Sequence, residues 1–228
     1  MRVVALGQQK GGVGKSATAI HLACQAILAG KRTALLDLDN VQKTALDWGR
    51  KRMKAIAGDK LLIKAVDGIE LDAELERLKG LGFEWVFLDL PGRRDGSGLG
   101  MSRADFVLMP ARPLAVDIEA SYATLQVLRS SERPHAYLMN ICPPQDNASR
   151  ARKVQTVLEE GGAPVCPAII IQRIVVPDAI EFGNHVGELP GAQAEQSASE
   201  YKALFDWLNQ KIEDKDAKPS RSKAKAKA

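Results

Sequence analysis

Cysteine, histidine and aromatic residues are all scarce in this 228-residue chain, and it has no long uninterrupted apolar run. The three cysteines, Cys24, Cys142 and Cys166, stand far apart and form no C-x-x-C pair, which argues against a disulfide framework and against a zinc site. They read as small buried hydrophobes in a reducing cytoplasm. His21, His135 and His185 are equally scattered and make no ligand cluster. No segment approaches the ~20 apolar residues that a membrane helix needs. No early stretch joins a basic flank to an apolar run and a small-residue cleavage site, so no signal peptide is expected. What remains, 45% apolar residues over this length, can bury one sizeable core, most simply as a single domain.

The formal net charge of +4 is unevenly placed. Residues 215–228, "KDAKPSRSKAKAKA", hold six Lys/Arg and one Asp, a net +5, which leaves the first 214 residues at −1. The basic balance therefore belongs to the tail. With no large apolar residue to bury, that tail is expected to be disordered. The expected division is a domain over 1–214 and a basic tail over 215–228.

Along the body, short apolar runs alternate with helical spacing. "VVALG" (3–7), "TALLDLD" (33–39), "LLIKAV" (61–66), "EWVFLDL" (84–90), "ADFVLMP" (104–110), "HAYLMNI" (135–141) and "PVCPAIIIQ" (164–172) read as strands, with helices between them. Continuous apolar strands alternating with helices predict an α/β fold: a doubly wound, mostly parallel sheet covered on both faces. A last helix near 198–212 places Tyr201, Leu204, Phe205, Leu208 and Ile212 on one stripe, expected to pack on the sheet rather than on a membrane.

Chemistry concentrates in "LGQQKGGVGKS" (6–16). A strand feeding a glycine-rich turn that opens a helix presents backbone N–H groups and a positive dipole end to phosphate. Yet the usual G-x-x-x-x-G-K-[ST] spacing fails, because Gln9 stands where the first glycine belongs and an extra lysine, Lys10, precedes the glycine pair. Gly11, Gly12 and Gly14 let the backbone close on an anion. Lys15 is expected to reach the β- and γ-phosphates and Ser16 to ligate Mg²⁺, with Val13 and Ala17 completing the loop. "VFLDLPG" supplies a carboxylate at a strand end, Asp89, in a Walker B arrangement. No glutamate follows it, so "LLDLDN" is expected to supply the remaining carboxylates. Their i, i+2 spacing puts Asp37 and Asp39 on one side of the departing strand. Asp39 is the candidate for positioning the attacking water, Asp37 supports the metal site, and turnover should be slow.

"QKGGVGKS", "LLDLDN" and "FLDLPG", in that order, resemble the deviant Walker A, A′ and B motifs of the ParA/MinD family of ATPases. "MPARPLAVDIEAS" is similar to the family's P-x-x-P-x-x-x-[DE] segment. The likeness spans most of residues 1–212, and the short length most resembles the small plasmid-partition ParA proteins. It implies that ATP and Mg²⁺ are the cofactors, and that Lys10 reaches across a homodimer interface to the nucleotide of the other subunit. ATP then drives assembly and hydrolysis dissolves it. Two features depart from the family: Asn40 replaces the usual proline after Asp39, and "NVQKTALDW" is one residue longer. Asn140 matches a position where some relatives contact adenine, although a strand-closing Asn is equally a turn residue. "NICP" is not the N-K-x-D of a GTPase, which favours ATP.

The function that these features favour is DNA segregation by an ATP-gated dimer that binds nucleoid DNA without sequence preference in the cytoplasm. A ParB-like centromere-binding or other adaptor would stimulate hydrolysis. "GRKRMK" (49–54), Arg93–Arg94 and the tail are candidate phosphate contacts. An accessory role in conjugative transfer, or the positioning of another cargo, uses the same core. Membrane cycling of the MinD kind needs a terminal amphipathic helix that "SRSKAKAKA" does not supply. An iron–sulfur electron donor is excluded, because residues 85–135 contain no cysteine.

Overall fold

The computed structural model describes residues 1–55, 61–92 and 94–216, with the backbone alone at 53–55, 94–96 and 215–216. Strands and helices alternate: β1 (Arg2–Leu6), α1 (Lys15–Leu28), β2 (Thr33–Asp37), α2 (Thr44–Ala55), β3 (Leu61–Ala65), α3 (Leu71–Gly80), β4 (Trp85–Asp89), α4 (Arg94–Arg103), β5 (Phe106–Ala111), α5 (Ala115–Ser130), β6 (His135–Cys142), α6 (Ser149–Glu160), β7 (Val165–Ile171), α7 (Val175–Glu181) and α8 (Ala192–Asp216). Every strand pair is parallel, in the spatial order β3-β2-β4-β1-β5-β6-β7. This is the doubly wound α/β sheet that the apolar runs predict. The chain winds outward on one side of β1, returns through β4, and continues on the other side. The crevice of such a sheet opens beyond the carboxyl ends of its strands.

Strand alternation divides the core into two layers. Val3 and Ala5 of β1 join Val86 and Leu88 of β4 on one face; Val4 and Leu6 join Trp85 and Phe87 on the other. Neighbouring side chains of a strand point to opposite faces, so strands buried on both faces must be apolar at nearly every position. Cys24, Cys142 and Cys166 are buried thiols, as expected, and burial pushes Cys142 and Cys166 up to about 12. The expected stripe of α8 is buried throughout, with Tyr201, Leu204, Phe205, Leu208 and Ile212 all in the second layer. Among the described residues no helix is long and apolar enough to cross a membrane.

Two boundaries differ from expectation. β2 ends at Asp37, so Asp39 lies beyond the strand. α8 spans Ala192–Asp216, starting ahead of the helix expected near 198–212. Its first turns are seated by small residues, Ala194 and Ser197, both inaccessible to solvent. Small residues pack closely without announcing an apolar period, so the stripe starts too late when read from large side chains alone.

α1, α8 and the turn before Val186 enclose a buried histidine pair. The ring centroids of His21 and His185 are 5.3 Å apart, and His21 lies 4.3 Å from the Tyr201 ring. His185 Nδ1 accepts from the Gly187 N–H (3.0 Å), and its Nε2 lies 3.1 Å from the Gln25 side-chain amide nitrogen. Burial drives both imidazoles toward the neutral form, His185 down to about 4, despite the opposing pull of Glu188. Both therefore bind protons more readily unfolded than folded, and stability must fall as pH drops from 6.5 toward 4. His185 alone is expected to account for a loss on the order of 2 kcal/mol across that window. Urea midpoints at pH 7 and pH 4.5 check this: the loss should shrink in His185→Gln.

Candidate functional site

Register brings the separate motifs to one level. Leu6, the last residue of β1, pairs with Asp89 of β4, and Asp89 pairs with Asp37 of β2. The turn that follows Leu6 therefore starts beside both carboxylates. Gly12 and Gly14 take left-handed φ angles of 73° and 82°, which a Cβ would disfavour. A Cβ on Gly14 would also stand 2.4 Å from Asn140 Nδ2. Val13 is inaccessible and anchors the turn, while Gly11 and Gly12 are exposed with open space around them. Thr18 Oγ donates to the Gly14 carbonyl at 2.8 Å, closing the loop onto α1.

Lys15 is buried, and its Nζ donates to the Lys10 carbonyl (3.1 Å). Burial lowers its pKa; the charges of Asp89 and Asp39 oppose that shift. Asp89 is inaccessible, and neither of its oxygens finds a hydrogen-bond partner among the described residues. The Ser16 hydroxyl is near enough to pull its pKa down without meeting hydrogen-bond geometry. Desolvation prevails, reinforced by Asp37 and Asp39, and raises the carboxyl to about 7. A buried acid with no hydrogen-bond partner among the described residues, beside a buried lysine and a hydroxyl, is a candidate ligand site.

Asp37 has a different task. Its Oδ1 accepts from the Asp39 N–H and its Oδ2 from the Leu46 N–H, both at 3.0 Å, so it organises the loop into α2. Burial raises its pKa against these bonds. Asp39, placed by that loop rather than by strand alternation, accepts from the Val41 and Gln42 N–H groups through Oδ1, and its Oδ2 has no hydrogen bond among the described residues. Asn40, which replaces the family's proline, donates to Asp67 after β3 and ties the loop down. Ser16 and Asp89 are hard oxygen donors beside a phosphate loop, a set that fits Mg²⁺, which takes one or two carboxylates plus phosphate oxygens. Among the described residues no group of three or more His, Cys, Asp or Glu could hold a metal unaided.

Lys10 is not with these groups. Its ammonium donates to Asp117 of α5, a carboxylate that also takes a bidentate pair from Arg112. Asn140, inaccessible at the end of β6, donates through Nδ2 to the Val13 carbonyl (2.8 Å) and to Thr18 Oγ (3.3 Å), holding the loop from behind. It also lines an apolar cleft of about 440 Å³ with Gly14, Ala17, Ile170, Pro177 and Tyr201. Sequence reading missed Tyr201 and Pro177 here, because residues of α7 and α8 join the cleft only through the sheet. It also missed Gly92: a Cβ there would lie 3.2 Å from the Gly11 nitrogen and 3.3 Å from Lys15 Nζ, so the turn after β4 packs directly on the loop.

The basic clusters fare unequally. Within "GRKRMK", Arg52 is buried, lies over the Trp48 ring and pairs bidentately with Glu188 at 3.0 Å. Arg50 and Lys51 are paired with Asp47 and Glu181. The Arg93–Arg94 pair and the tail beyond Asp216 lie outside the described side chains. An exposed cluster that sequence reading passed over, Arg150, Arg152 and Lys153, opens α6; its signal was "SRARK".

A glycine turn between strand and helix, with a lysine and a hydroxyl at its close and a lone carboxylate on the neighbouring strand, defines a P-loop nucleotide-binding protein. Residues 2–120, just over half the chain, match the protein-family model described as ATPase MipZ. The chain belongs to that family, within the ParA/MinD group, and is an ATPase. It is 27% identical over 212 residues to the maintenance of carboxysome distribution protein A of Gloeobacter kilaueensis (91% of this chain, 94% of that one). It is 28% identical over 235 residues to the chromosome-partitioning ATPase Soj of Thermus thermophilus (88% and 94%). Its fold matches the MinD cell division protein of Aquifex aeolicus with a TM-score of 0.72 at 16% identity (92% and 98%).

The raised pKa of Asp89 has a measurable sign. Its folded value lies above its unfolded one, so ionisation opposes folding, and the cost grows as pH rises from about 4 to 7. Asp89→Asn is therefore expected to stabilise the nucleotide-free protein by roughly 2–4 kcal/mol at pH 8 and by little at pH 4. The same variant should lose the magnesium-dependent part of nucleotide binding. Melting curves at the two pH values, with and without nucleotide and Mg²⁺, test both halves.

Proposed function

We propose that this ATPase is an ATP-gated homodimeric switch that holds DNA in its ATP state and partitions or positions a cargo. The observation that carries the reading is the division of labour between the two loop lysines. Lys15 lies buried within reach of the charges of Asp89 and Asp39 of its own subunit, its ammonium on the Lys10 carbonyl, whereas the Lys10 ammonium sits outside that set on a releasable partner, Asp117. A second copy bringing its own triphosphate offers Lys10 a stronger anion. Exposed apolar side chains favour a partner copy on the same edge: Val41, Ile69, Leu99 and Val116 follow β2, β3, β4 and β5 respectively. Single exposed hydrophobics are ordinary, but four on one rim around a nucleotide loop fit a docking face.

In this reading Ser16 and Asp89 hold Mg²⁺ with the phosphates, with Asp37 in support through the loop. Asp39 orients the attacking water through Oδ2. The absence of a strong base keeps turnover slow until an adaptor protein stimulates it. The base lies in the apolar cleft, where Asn140 Oδ1 can accept from an adenine amino group while Nδ2 holds the loop. DNA is held through phosphates by the tail over 215–228 and by the exposed arginines of α6. The similarity to a carboxysome-distribution protein favours a second version, in which the cargo is a protein assembly and DNA is the track. An accessory role in DNA transfer draws on the same switch.

Lys10→Ala is expected to leave the monomer folded and to remove ATP-dependent dimerisation in sedimentation. Asp39→Ala should keep the dimer and lose most turnover. An undiminished dimer in the first variant, or normal hydrolysis in the second, overturns the corresponding role. For DNA, deletion of 215–228 should weaken binding and flatten its logarithmic salt slope by up to about 5 units. An unchanged slope moves the contact to Arg150, Arg152 and Lys153.

A further inference from the structure

Asp117 is covered completely, yet it carries two cations. Lys10 donates to Oδ1, and Arg112 donates from Nε to Oδ2 (2.5 Å) and from Nη2 to Oδ1 (3.2 Å). The cluster thus holds one positive charge more than its carboxylate requires. We propose that Arg112 is a positioning residue for dimerisation: it keeps Asp117 neutralised so that Lys10 can leave. This inference rests on the reading of Lys10 as a lysine donated to a partner subunit.

The physical case turns on what remains after Lys10 departs. Taking the sole counter-ion from a covered carboxylate leaves an uncompensated charge, which is strongly unfavourable. With Arg112 in place the residue left behind is a complete ion pair. The two cations are not equivalent. Arg112 grips with a planar fork in two parallel bonds, from the short connection between β5 and α5, where the Leu114 N–H donates to its carbonyl at 2.8 Å. Lys10 offers one ammonium on a flexible stem, next to two glycines. Lys10 is therefore the cation that moves and Arg112 the one that stays. Asp117 responds to both: burial pushes its pKa up, and the hydrogen bonds from Arg112 and Lys10 more than reverse that.

Sedimentation with a non-hydrolysable ATP analogue and Mg²⁺ tests the inference. Arg112→Ala is expected to weaken the dimer about tenfold while leaving analogue affinity at monomer concentrations within twofold, a separation that a folding defect would not produce. Arg112→Gln, which keeps a hydrogen bond and loses the charge, should behave alike, and Arg112→Lys should recover most of the loss. Adding Asp117→Asn to Arg112→Ala should restore the dimer, because no charge remains to retain Lys10. If the wild-type protein dimerises and Arg112→Ala does so equally well, Arg112 has no such role. A double variant as weak as the single one overturns it too. If the wild-type protein itself stays monomeric with the analogue, the dimer reading fails, and this inference falls with it.

Discussion

In-register parallel pairing of β2, β4 and β1 places Asp37, Asp89 and the turn after Leu6 side by side at one edge of the sheet. Everything chemical in the molecule depends on that coincidence. These three strands are buried on both faces, so the residues between their ends are apolar and the acids come at the last positions of β2 and β4. At that edge the chain changes from obligatory apolar packing to side chains chosen for charge. A slip of one residue in β4 would turn Asp89 into the core and a leucine toward the loop.

The edge is assembled against electrostatic preference. Asp89 is desolvated and without a hydrogen-bond partner among the described residues, Lys15 is buried beside it, and Asp37 and Asp39 add negative charge nearby. Asp37 escapes isolation by taking two backbone N–H groups, whereas Asp89 finds no partner among the described residues. That difference separates a residue that shapes a loop from the one proposed to meet the metal. Lys10 and Arg112 on Asp117 form the counterpart on the β5 side, where surplus positive charge is stored a short distance from the phosphate loop. In the proposed reading, nucleotide with its metal would bring opposite charges to both places and so favour one arrangement of loops over another.

The doubly wound fold was legible because strands covered on both faces must be continuously apolar, and seven such runs occur in order. The loop residues Gly11, Gly12, Gly14, Lys15 and Ser16 were legible because their spacing is a backbone requirement. Less legible were features made by contacts between distant segments. Arg52 looked like part of a basic surface patch and is instead a buried partner of Glu188. Ala194 and Ser197 seat the start of α8 without any apolar period to mark it. Asn40, a departure from the family pattern, acquires a purpose only through Asp67 on another loop.

Local sequence alone determined the layered architecture, the phosphate loop and the identity of the strand-end acids, because periodicity and glycine placement are properties of consecutive residues. Tertiary structure decided which acid stays unpaired, where Lys10 rests, and which arginines are available to solvent. Those outcomes depend on desolvation and on partners brought from more than a hundred residues away, as Lys10 and Asp117 are. No reading of consecutive residues contains that information.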